Sequence, residues 1–160
     1  MSDRAPASFT LYQTAGKEKA IAELFLDYGF DNEGRAITET SIVDGVDLGI
    51  DEVGIGILSE LGGALEALGV AYRGAQDAKY EYSGSVRYFV PGLGSRDFEG
   101  DNSGNVVVYA RDVTTIANKL AALYAGGELC VDAGEAAKIV AEFGELCGSS
   151  YVDAFNALRG

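Results

Sequence analysis

At 160 residues, 48% of them apolar and 23% charged, the chain fits one domain of ordinary size and composition, which excludes whole-chain disorder. It contains no histidine, so Ser-His-Asp and Cys-His catalysis and the usual zinc sites are excluded. Twelve basic against 25 acidic residues give a net charge of −13, which repels nucleic acid phosphates and anionic membranes and attracts basic protein surfaces.

In chain order, Ser8 to Thr14 sets Phe9, Leu11 and Gln13 against Thr10 and Tyr12, and this alternation predicts a first strand. Thr14 is placed to cap a following helix, which carries Ile21, Leu24, Phe25 and Tyr28 on one face and ends at Gly29. Asp31 to Gly34 predicts a turn, and Arg35 to Val43 a second strand ending at the Asp44–Gly45 turn. From about Asp51 to Leu68, Val53, Ile57, Leu61, Leu65 and Leu68 recur at helical spacing and predict the core helix. Asp51 and Glu52 then fall in its first turn, where the helix dipole favours negative charge, and Gly54, Gly56, Gly62 and Gly63 lie within the pattern and weaken it.

Val70 to Arg73 predicts a short strand, and Tyr80 to Tyr109 a three-stranded meander rich in tyrosine and phenylalanine. Within it, Pro91–Gly92 suits the centre of a type II turn, and Asp101 to Asn105 a tighter connection. Three helices complete the chain: about Asp112 to Ala125, Asp132 to Leu146 with Asp132 and Glu135 as a capping-box-like pair, and Ser150 to Leu158. The expected architecture is a single α+β domain over residues 1–160, an antiparallel sheet (three-stranded meander plus N-terminal strand) packed against four to five helices.

No run of eighteen apolar residues occurs, and MSDRAPASF lacks a hydrophobic signal core. Cys130 and Cys147 suit a reducing compartment, so the expected location is the cytoplasm, of the host if the chain is phage-encoded.

Each candidate chemistry has a plainer counterpart. Cys147 as a nucleophile lacks a group to lower its pKa, and a core thiol is the expectation. Asp97, Glu99, Asp101, Ser103 and Asn105 alternate oxygen ligands as a calcium loop does, but glycine stands at 104 rather than 102 and no glutamate occupies the twelfth place. No phosphate-binding loop is present, and no metal or cofactor is expected. RYFV at Arg87 to Val90 lacks the flanking pattern of an RNA-binding sheet, so the tyrosines are expected in cross-strand packing first and in a protein interface second.

The segment DAKYEYSGSVRYFVPGLG, with DNSGNVVV after it, is similar to stretches in small proteins of actinobacterial phages and mobile elements. In size, acidity and lack of catalytic groups the chain resembles phage counter-defence proteins, including anti-restriction and anti-CRISPR inhibitors. That resemblance implies occupation of a partner's nucleic acid site and carries over no functional residue.

Residues 36 to 72 hold seven carboxylates and no lysine or arginine. The leading expectation is therefore a non-enzymatic, acidic interaction protein whose partner is a basic nucleic-acid-binding protein or effector complex, with no direct nucleic acid or membrane binding. Its expected contact residues are Asp44, Asp47, Asp51, Glu52, Glu60 and Glu66, with Tyr80, Tyr82 and Tyr88 of the tyrosine hairpin as a second contact. The alternatives are a small metal- or ligand-binding enzyme using a carboxylate pair, and a structural oligomer formed through the aromatic sheet.

Overall fold

A computed structural model describes residues 4–32, 34–79, 82–123 and 133–159. Its described strands are β1 (Arg4–Tyr12), β2 (Asp31–Asn32), β3 (Arg35–Ala36), β4 (Asp47–Gly54), β5 (Ala71–Gln76), β6 (Gly84–Val90) and β7 (Gly94–Gly100). The described helices are α1 (Glu18–Asp27), α2 (Ile57–Ala67), α3 (Ala110–Ala122), α4 (Ala133–Leu146) and α5 (Ser149–Arg159), with one 3-10 turn at Glu39–Ser41. The strands form one antiparallel sheet in the order β3-β2-β4-β1-β5-β6-β7: five long strands make its body, and two two-residue strands extend one edge. The fold is α+β, as the order of elements predicts.

The N-terminal strand lies at the centre of the sheet, and its alternation assigns each side of the sheet a different job. Ala7, Phe9 and Leu11 join Leu48 of β4 and Tyr72 of β5 in the main core, which α1 closes with Ile21 and Phe25 and α2 closes with Ile57, Leu58, Leu61 and Leu65. Phe9 meets the rings of Phe25, Phe30 and Tyr72 at centroid distances of 5.8, 5.8 and 5.5 Å, an aromatic cluster within the main core. On the opposite side, Tyr12, Val86 and Tyr88 pack under Tyr151 and Phe155 of α5. A third, smaller cluster of Ile116, Leu123 and Ile139 joins α3 to α4.

Several element boundaries differ from expectation, each for a physical reason. Thr14 does not cap α1; its hydroxyl donates to Asp44 at 2.6 Å, and α1 starts after Lys17 without a side-chain cap. Gly29 does adopt the left-handed conformation, with φ 77°. Arg35 to Val43 forms only the short β3 and the 3-10 turn. The meander is β5-β6-β7, one strand earlier than expected, and the Val106 region contributes an isolated bridge to Gly100 rather than a strand. Pro91–Gly92 does turn the chain, with the Leu93 N–H donating to the Val90 carbonyl at 2.9 Å and Gly92 at φ 92°. Asp132, half of the expected capping pair, lies outside the described residues, as does Cys130.

The largest correction falls on Asp51 to Leu68. Asp51, Glu52 and Gly54 belong to strand β4, so the carboxylates do not sit in the first turn of a helix. The Ala5–Ala7 stretch of β1 faces Ile50–Val53 of β4, one residue longer, which makes a bulge. The bulge lets Ile50 and Val53, three residues apart, both touch the main core, and turns Asp51 and Glu52 outward. Helix α2 begins only after Gly56 at φ 104°, and the buried Gln76 side chain fixes that corner: its amide donates to the Gly54 carbonyl at 3.1 Å and its oxygen accepts from the Gly56 N–H at 3.2 Å.

Two adjacent glycines in α2 make opposite demands. A Cβ on Gly62 would lie 2.3 Å from the Tyr72 hydroxyl and 3.0 Å from its ring, whereas one on Gly63 meets nothing within 4 Å. Gly63→Ala should therefore raise stability by up to ~1 kcal/mol through helix propensity, and Gly62→Ala should lower it by about 1–3 kcal/mol through overpacking. Urea unfolding of the two variants checks this, and Tyr72→Phe in the Gly62→Ala background should recover part of the loss.

Candidate functional site

Helix α5 covers only part of its side of the sheet. Over β4, β1 and β5 the register places Gly49, Ser8 and Ala75 directly across from one another, and this row of small side chains leaves a hollow that no described helix fills. The resulting groove encloses about 610 Å³, within the roughly 300–1,000 Å³ of known ligand pockets. Asp47, Asp51 and Asp77 stand on its walls, and none of its lining residues is a lysine or arginine.

A second hollow of about 200 Å³ adjoins it, sharing Ser8, Asp47, Ala75 and Asp77 and adding Thr10 and Arg73. Asp47 accepts a short hydrogen bond from the Thr10 hydroxyl. Arg73 donates to the carbonyl of Gly104, in the turn that Asp101 organises by accepting from the Ser103 and Asn105 N–H groups, both at 2.8 Å. The Asn105 side-chain and backbone bonds and the Ser103 bond hold the Asp101 carboxyl below its ordinary value. That turn accounts for Asp101 of the calcium-like series, while Asp97 pairs with Arg87 at 2.7 Å. No group of three potential metal-ligating side chains occurs among the described residues.

The structure divides the acidic residues of segment 36 to 72. Asp47 and Asp51 face the groove. Asp44 ties the end of β1, accepting from the Gln13 and Thr14 N–H groups, both at 3.0 Å, and from the Thr14 hydroxyl. Glu52 lies 3.9 Å from the Lys79 ammonium. Glu60 is exposed in the first turn of α2, across the sheet from the groove. Glu66, also on α2, accepts from the Tyr72 hydroxyl at 2.8 Å and from Arg87 at 3.1 and 3.2 Å. The six carboxylates therefore do not share one face.

The aromatic residues divide in the same way. Tyr88 is buried beneath α5, 5.8 Å from the Tyr151 ring and 5.7 Å from that of Phe155. Tyr82 is 41% exposed, and Tyr80 lies outside the described residues. Sequence reasoning missed Asp77, the third acid of the groove. The local pattern carried no signal for it, because its position depends on β5 pairing with β1, which extends from Ala7–Gln76 to Tyr12–Ala71.

Glu66, Tyr72, Arg87 and Asp97 form one network between α2 and the sheet. Burial, and next the bond to Glu66, push the Tyr72 hydroxyl well above its ordinary value of 10.0. Burial alone works against the Arg87 charge, and the bonds to Asp97 and Tyr72 outweigh it, so the guanidinium stays charged.

No protein-family model, curated protein or solved structure matches the chain. No described helix is long and apolar enough to cross a membrane.

Two predictions separate structural acids from surface ones. Glu66→Ala, which strips a charged partner from an arginine side chain only 15% exposed, should cost about 1–3 kcal/mol in urea unfolding, whereas Glu60→Ala should stay within about 0.5 kcal/mol of the parent. Asp44 supplies a pH signature. Burial acts to raise its carboxyl, but the bonds from Thr14 and Gln13 outweigh it and leave the folded value below the unfolded 3.8. Its contribution is therefore complete above the unfolded value and disappears as pH falls through the folded one. Asp44→Asn should lose less stability than the parent across that acid range, and parallel acid-unfolding profiles would remove Asp44 from the linkage.

Proposed function

We propose that the chain is a non-enzymatic, acidic interaction protein that binds the basic surface of a nucleic-acid-binding partner and occupies its nucleic acid site, in the manner of a phage counter-defence inhibitor. The observation that carries this reading is the groove lined by Asp47, Asp51 and Asp77 and by no lysine or arginine. A hollow of that size and sign suits the guanidinium or ammonium groups that a partner uses to hold phosphates. The net charge of −13 adds a long-range field that speeds encounter with a basic surface.

The contact surface in this reading is narrower than the acidic segment and differently centred. Asp47, Asp51 and Asp77 form its middle, with Glu52 on the same strand as Asp47 and Asp51. Asp44 and Glu66 are engaged in holding the fold, and Tyr88 is covered. Of the aromatic surface that the oligomer alternative would use, Tyr88 and Phe98 pack against Tyr151 of α5, while Tyr82 and Tyr109 stay exposed.

The test starts with host proteins retained on the immobilised chain at low salt, followed by nucleic acid binding of each retained protein with and without the chain. The expected result is loss of nucleic acid binding and an affinity that falls as salt rises, because screening shortens the field to about 8 Å at physiological ionic strength. Asp51→Asn combined with Asp77→Asn should weaken the complex by about tenfold or more, while Glu60→Gln should change it less than about twofold. An affinity unchanged between low and high salt, or a larger loss from Glu60→Gln than from the groove pair, contradicts the proposal.

A further inference from the structure

Where α5 meets the sheet, the charge pattern of the molecule reverses. Arg73 of β5 and Arg159 in the last turn of α5 line one small pocket of about 120 Å³, together with Tyr12, Tyr88, Phe155 and Asn156, and no carboxylate is among its lining residues. Neither arginine takes part in an ion pair among the described residues, although acidic groups outnumber basic ones by two to one in the chain.

The hydrogen-bond partners of both guanidinium groups are neutral, and Arg73 also feels the Asp101 carboxylate. Arg159 donates to the Tyr12 hydroxyl at 2.8 Å and lies over the Tyr12 ring at 5.3 Å from its centroid. The ring is itself stacked on Phe155 at 4.9 Å. Arg73 donates to the Gly104 carbonyl and interacts with the Tyr88 hydroxyl. Each guanidinium carries five N–H donors, of which these bonds among the described residues use one or two.

We propose that this pocket binds a small oxyanion, a phosphate or carboxylate group, through the paired guanidinium groups of Arg73 and Arg159. Planar forks pinned by neutral hydroxyls are preorganised for two-pronged recognition of such groups. The volume corresponds to roughly four water molecules, enough for one phosphate or one short carboxylate and too small for a nucleotide base with its sugar. The negative field of the whole protein, and Asp47 and Asp77 in the hollow that Arg73 also lines, work against the attraction, so binding rests on short-range bonds from the two guanidinium groups. Arg159 at the end of α5 also complements the helix dipole, which accounts for its charge there but not for the convergence of Arg73 on the same pocket.

The site is independent of the acidic groove in function, so a failed partner screen leaves this inference standing. The probe is inorganic phosphate titrated into the full chain by calorimetry, with acetate as the carboxylate arm and chloride at matched ionic strength as control. Phosphate stabilises folded proteins generally, so the decisive reading is the difference between parent and variant.

The parent should bind phosphate, acetate or both saturably, and the more tightly bound arm identifies the chemistry. Arg159→Gln, at an exposed position, should weaken binding by about tenfold or more, and Arg159→Lys should weaken it less. Absence of saturable binding to either probe, or equal binding by the parent and Arg159→Gln, overturns the assignment.

Discussion

The Tyr72 hydroxyl sits at the join between α2 and the sheet, on a side chain with no solvent exposure. A buried hydroxyl without a partner costs on the order of 1–3 kcal/mol, so the surrounding structure has to supply partners. Glu66 supplies an acceptor at 2.8 Å, and Arg87 donates to the hydroxyl oxygen at 3.0 Å while also neutralising Glu66. Arg87 then reaches Asp97 on β7, so one chain of polar contacts links α2, β5, β6 and β7. The geometry works only if α2 approaches closely, and Gly62 permits this by presenting no Cβ to the hydroxyl.

Closing one side of the sheet in this way leaves part of the other side open. There α5 covers the end at Tyr12, Val86 and Tyr88, while the row Gly49, Ser8, Ala75 remains open. The two regions differ in charge. The open groove gathers Asp47, Asp51 and Asp77, and the pocket beside α5 gathers Arg73 and Arg159. Arg73 lines both the pocket and the hollow adjoining the groove, which places the two charge signs next to each other on one surface.

Much of the fold was legible because local chemistry and tertiary structure agree in those places. The alternation around Phe9 and Leu11, the Gly29 stop, the Pro91–Gly92 turn and the three C-terminal helices all depend on neighbours in the chain. The Asp51 to Leu68 stretch misled for a specific reason. The β4 bulge places Ile50 and Val53 three residues apart on one face, and Ile57 follows four residues later, so strand, corner and helix together imitate one helical period. Gln76, which fixes the corner, is twenty residues or more from the groups it binds. The site was less legible than the fold. Charge counting found Asp47 and Asp51 but equally weighted Glu66, whose role depends on Arg87, and it had no means of finding Asp77 or the meeting of Arg73 with Arg159.

In the proposed reading the open face of the sheet, and not the exposed face of α2, receives a basic partner. Backbone amide NMR during titration with a short arginine-rich peptide tests it most directly. Shifts concentrated at Ser8, Gly49, Asp51 and Asp77, fading as salt is added, are the expected result. Shifts centred on Glu60 and the rest of α2, or spread evenly over the acidic surface, would contradict it.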